Sequence, residues 1–161
     1  MKRAVTQYRR FANSCRSLAG VACIVILTAC GGPEAGPEEQ LRQWVSRGED
    51  AAEAKERREL IGMISPAYTD ARGNERGDIE NILRAYFFRQ NSITLLSKIE
   101  EVRLIADSAA EIELTVGMAG QNDGVLGFSA DAYRFELELT REGDDWLLIS
   151  ARWGELGEEL H

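Results

Sequence analysis

The spacing of apolar residues changes once along this chain, near Asn91, from a helical period to a period of two. Helices first and strands last exclude alternating βαβ units and predict an α+β fold with its helices on one face of a mostly antiparallel sheet. Ahead of the change, Leu41, Trp44, Val45, Gly48, Ala51 and Ala52 fall near helical spacing. Glu38 and Glu39 stand in the first turn, where the helix dipole favours them. A second, short helix carries Leu60, Ile61, Met63 and Ile64 and stops at Ser65-Pro66, because the residue before proline avoids helical backbone. Ala67–Asp70 reads as a short strand ended by the turn residues Gly73-Asn74, and the third helix bears the stripe Ile79, Ile82, Leu83, Tyr86 and Phe87.

Beyond Asn91, Ile93, Leu95, Ser97 and Ile99 share one face until Glu100-Glu101 breaks the phase and Val102 and Leu104 take over. A phase break inside a long strand is what a β-bulge produces, and it bends the sheet. Ile112, Leu114, Val116 and Met118 alternate with Glu111, Glu113 and Thr115, and Tyr133, Phe135, Leu137 and Leu139 alternate with Arg134, Glu136 and Glu138. The last strand, Trp146–Trp153, follows the turn Glu142–Asp145. Between the middle strands, Ala119–Ala132 reads as a loop of about fourteen residues, in which the turn Asn122-Asp123-Gly124 extends part of the hairpin. Its apolar members Val125, Leu126 and Phe128 have no periodic partner: Leu126 and Phe128 either cap the sheet or meet another protein, or belong to a loop folded on its own side chains.

The first thirty residues are of another kind. Residues 1–29 hold five basic and no acidic residues, and the apolar run Leu18–Ala29 is twelve residues long. That is short of the roughly 20 needed to span a bilayer, and it reads as a secretory signal peptide. It ends in Leu27-Thr28-Ala29-Cys30-Gly31, which resembles the bacterial lipobox. The resemblance implies a diacylglycerol on the Cys30 thiol and cleavage before it, with Gly31-to-Pro37 left as a flexible tether. It also implies sorting to the periplasmic face of the outer membrane, since Gly31 stands where an aspartate would mark inner-membrane retention. Two or three acyl chains make such attachment stable.

With Cys15 and Cys23 removed and Cys30 acylated, residues 38–161 form one domain without a free thiol, so no disulfide, thiolate metal site or cysteine nucleophile is expected there. His161 is the only histidine and stands at the end of the chain, where fraying is expected, so zinc and histidine chemistry are not expected either. Residues 30–161 carry 14 basic against 27 acidic residues, a balance unsuited to nucleic acid or an anionic lipid surface. No glycine-rich phosphate loop is present, and no cofactor is expected.

The order helix, helix, short strand, helix, antiparallel meander resembles the nuclear-transport-factor-2-like superfamily, a cone-shaped fold that includes ketosteroid isomerases and SnoaL-like proteins. The residues carrying the resemblance are Leu60–Tyr68, the Ile79–Phe87 helix and Gly143-Asp144-Asp145-Trp146-Leu147-Leu148-Ile149, and it covers residues 38–154. It implies three helices packed on one face of a curved sheet. Catalytic members keep an aspartate or histidine inside the cone, whereas the inward strand positions here are apolar.

The nearest candidate base is Asp70, with Tyr68 beside it and Tyr86 on the facing helix; the competing reading makes Asp70 the start of the turn before Gly73. Arg152 is either an anion clamp at the cone mouth or the partner of a surface glutamate. The pairs Glu111/Glu113 and Glu136/Glu138 either gather a cation or form a solvated face offset by Lys98, Arg103 and Arg134. Taken together, these readings predict a lipid-anchored periplasmic module that is not catalytic and binds a partner protein or a small apolar ligand. The alternative is a small isomerase or dehydratase with Asp70 as general base.

Overall fold

A computed structural model of the chain describes residues 35–121 and 128–161. Helix α1 (Pro37–Glu53) begins with proline at its first position, where a missing N–H costs nothing, so the last tether residue belongs to the helix. Helix α2 (Arg57–Gly62) follows, and α3 (Arg76–Arg89) opens with a capping box between Glu75 and Asp78. Strands β1 (Ser92–Ala106), β2 (Ala109–Gln121), β3 (Phe128–Glu142) and β4 (Asp145–Glu155) form one antiparallel sheet in the order β1-β2-β3-β4.

The inner face of the sheet is the expected one. Ile112, Leu114, Leu137 and Leu139 are buried there against Leu41, Trp44 and Val45 of α1 and Ile61 of α2. The phase break falls at the expected place: Ile99 pairs with Leu114 and Glu101 with Glu113, leaving Glu100 as the bulged residue. The outer face carries the ion pairs Arg103–Glu111, Arg152–Glu136 and, at 2.8 Å, Arg134–Glu113. Glu111 lies opposite Glu138 and Glu113 opposite Glu136, so these arginines offset cross-strand repulsion on a solvated face.

Four expectations need correction. Ala67–Asp70 is not a regular strand; the region makes only isolated bridges, Ile64 with Leu148 and Thr69 with Glu75. Pro66 has no N–H to give a ladder, and the chain turns there, with Tyr68 N donating to Ser65 O at 3.1 Å. The segment still lies along β4, where Ser65 N, Thr69 N and Ala71 N donate to the carbonyls of Leu148, Ile149 and Ala151. The fourteen-residue loop is a longer hairpin, with β2 and β3 paired as far as Gln121 and Phe128, because strands already in register keep zipping where the apolar signal fades.

Helix α3 buries none of its residues; Ile79 and Leu83 pack partly against the core, while Ile82 is 50% exposed. The C-terminus is paired rather than frayed: Trp153 N donates to His161 O at 3.1 Å and His161 N to Trp153 O at 3.2 Å, closing the last part of the β4 edge.

Candidate functional site

Helix α1 lies over the inner sheet face and α3 is only partly packed, which leaves an apolar cavity of about 310 Å³ between helices and sheet. Trp44, Val45, Gly48 and Ala52 of α1 form one wall, and Ile79 and Leu83 of α3 form a second. Leu95 and Ser97 of β1, Leu114 and Val116 of β2, Phe135 and Leu137 of β3, and Leu148 of β4 make the floor. Leu60, Met63 and Ile64 complete the lining together with one ionisable group, Glu49.

Glu49 is half-buried. Its Oε1 accepts from Ser97 N at 3.0 Å and its Oε2 from Ser97 Oγ at 2.9 Å. One turn further along α1, Glu53 Oε1 accepts from Leu95 N at 2.7 Å. β1 is an edge strand, and the two carboxylates take up N–H groups that a neighbouring strand would otherwise pair. Trp44 Nε1 is shut off from solvent and has no hydrogen-bond partner among the described residues.

Asp70 does not line this cavity. It is 5% exposed, and its carboxylate accepts from Arg72 N and Asn74 N at 2.8 Å each through Oδ1 and from Asn74 Nδ2 at 2.8 Å through Oδ2. Gly73 N donates to Asp70 O at 3.0 Å, with Gly73 at φ +81°, a backbone conformation that suits glycine. The geometry is that of a turn whose side chain satisfies the backbone of the loop it starts. Tyr68, 3% exposed, brings its hydroxyl to 3.5 Å from Asp70 Oδ2. Burial raises the Tyr68 hydroxyl well above its usual range, and the Asp70 charge and hydrogen bond push it further.

Tyr86 does not join them. Burial raises its hydroxyl pKa first, followed by the charge of Asp131 and by Tyr133, both residues of β3. The aromatic row there runs on through Tyr133, Phe135 and Trp153, with ring centres 6.4 and 6.5 Å apart and the Arg72 guanidinium 4.6 Å from the Trp153 ring centre. Arg152 is on the outer sheet face, where it makes the ion pair with Glu136 that its second reading gave it, and so is not at the mouth of the inner cavity. Cys30 and Leu126 lie outside the described residues; Phe128 is the first residue of β3, opposite Gln121. Among the described residues, the cavity therefore brings together none of the candidates read from sequence. Its one carboxylate, Glu49, was masked by its setting: a glutamate on a charged amphipathic helix carries no local sign that its partner lies 48 residues away.

No family model matches the chain, and no curated protein sequence matches it. Solved structures do. A ketosteroid isomerase-like protein from Erwinia carotovora atroseptica superposes with a TM-score of 0.61 at 10% identity, covering 76% of this chain and 100% of that one. A protein of the nuclear-transport-factor-2-like family from Streptomyces avermitilis gives 0.62 at 13% identity, over 73% and 95% of the two chains. A nuclear-transport-factor-2-like protein of unknown function from Shewanella oneidensis gives 0.58 at 12%, over 72% and 97%. Three helices packed against a curved four-stranded antiparallel sheet are thus the cone fold of the nuclear-transport-factor-2-like proteins.

Proposed function

We propose that this protein is a lipid-anchored periplasmic binding module, held at the outer membrane through Cys30, that takes a small apolar ligand into the cavity between α1, α3 and the inner sheet face. The cavity is the observation that carries the reading: a lining of aliphatic and aromatic side chains with one carboxylate among them. Such a pocket favours apolar guests, since each buried methylene contributes about 0.8 kcal/mol. Ten of them give a gross gain of about 8 kcal/mol, against a cost of association of at least about 4 kcal/mol. The Leu27-Thr28-Ala29-Cys30 motif supports the anchor, and Gly31 supports the outer-membrane address. Among the described residues no helix is long and apolar enough to cross a membrane.

An isomerase or dehydratase with Asp70 as base would need that carboxylate in the cavity, whereas its hydrogen bonds commit it to the 70–74 loop. The test is binding of a neutral solvatochromic dye, N-phenyl-1-naphthylamine, followed by dye emission and by quenching of Trp44. Wild type is expected to bind one equivalent, and Val116→Phe, which fills the cavity floor, is expected to weaken binding at least tenfold while melting as a folded protein. Equal binding by wild type and Val116→Phe, or none by wild type, refutes the ligand reading.

A further inference from the structure

If the cavity binds an apolar ligand, as proposed above, its polar end determines which one. We infer that it selects apolar molecules with a cationic or hydrogen-bond-donating headgroup, a primary aliphatic amine above all, over carboxylates of the same length, and that Glu49 reads the headgroup.

Three observations combine. Among the described residues that line the cavity, with Ile79, Leu83, Leu95 and Val116 in the same wall and floor, Glu49 is the one ionisable side chain. Each of its oxygens receives a single donor, both from Ser97. A carboxylate offers about four acceptor positions, so roughly two are left to face incoming groups. Finally, Glu53 performs the same edge-sealing task from an exposed position outside the cavity, so that task alone does not require a carboxylate in the cavity wall.

A guest entering an apolar cavity displaces the water that would solvate the remaining acceptor positions. A hydrocarbon end leaves them unsatisfied, and a carboxylate adds repulsion between like charges. An ammonium group restores the lost hydrogen bonds in charge-assisted form, about twice as strong as neutral ones. Residues 30–161, with 14 basic against 27 acidic residues, lend a weaker bias in the same direction.

The experiment compares decylamine, decanol and decanoate in displacing N-phenyl-1-naphthylamine from the wild-type protein, Glu49→Gln and Glu53→Gln at neutral pH. Each variant removes one negative charge, so the long-range bias changes equally in both. Each retains a carbonyl oxygen to accept the β1 N–H, so both are expected to fold. The expected result is displacement by decylamine at concentrations at least about tenfold below decanoate in wild type and Glu53→Gln, with decanol between them. In Glu49→Gln the separation is expected to shrink to a fewfold. Binding of all three with no headgroup order, or an order that survives in Glu49→Gln, overturns this inference and leaves the ligand reading standing. An order lost equally in Glu53→Gln overturns it too, by assigning the effect to net charge. Failure of the dye itself to bind removes the ligand reading and this inference together.

Discussion

A carboxylate that is 5% exposed, as Asp70 is, must collect donors or lose its charge, and Asp70 collects them from its own loop. Its backbone partners Arg72 and Asn74 are two and four residues away, which is why the turn could be read from Asp70-Ala71-Arg72-Gly73-Asn74. Glu49 was opaque at the same scale, because its partner Ser97 comes from another element, whereas Arg152 meets in Glu136 the surface glutamate that one of its two readings gave it. The Asp70 geometry sets two substitutions apart. Asp70→Asn keeps an oxygen for both backbone N–H groups, and the Asn74 amide can turn over to match the new one, so the cost should be about 1 kcal/mol. Asp70→Ala leaves both N–H groups without their acceptor beside a buried side-chain position and should cost about 3 kcal/mol. Urea denaturation of the two variants measures the difference. A stabilising Asp70→Asn would show instead a carboxylate held under strain, as a catalytic base is.

Elements were legible where one periodicity had one cause. The bulge at Glu100 follows from a face that must stay apolar on both sides of a break, and the structure has it between Ile99 and Glu101. The third helix misled because its stripe serves two purposes. Ile79 and Leu83 line a cavity that a closed core would have filled, and Ile82 faces solvent. Helix α3 is therefore held mainly at its ends. Arg76 donates to Ile61 O from Nη2 at 2.9 Å and from Nε at 3.2 Å. At the other end Lys55 Nζ donates to Asn91 O at 2.9 Å and also to Gln90 O, an ammonium set at the C-terminus of the helix dipole. Lys55 itself sits at φ +57°, a conformation costly for a side-chain-bearing residue that this clasp helps to hold. A helix without a buried residue should open locally before the sheet does. Hydrogen exchange is expected to show the α3 amides exchanging well ahead of those of α1 and β2, and Arg76→Ala should widen the gap. Protection of α3 equal to that of β2 would refute this account.

On the scale of the whole molecule, both sheet edges are partly covered. Glu53 and Glu49 take the N–H groups of Leu95 and Ser97 in β1, while the Ser65–Ala71 segment and the C-terminal His161 line β4. Covered edges would suit the proposed setting on a membrane surface, where open strands would pair between neighbours. The acidic surface fits the same setting: it cannot add an electrostatic hold on anionic lipid, so attachment should rest on the covalent lipid alone. Expressed whole in a Gram-negative host, the wild-type chain is expected to incorporate labelled palmitate and to enter the detergent phase with the outer-membrane fraction. Cys30→Ala should do neither. Cys23→Ala, a change within the apolar run, should leave both unaffected. If the anchor is as proposed, raised salt should not release the wild-type protein from membranes, because covalent lipid rather than ionic contact would hold it there. Absence of label from wild type would refute the lipid anchor, and release by salt would show that a charged surface, not the acyl chains, holds the domain to its membrane.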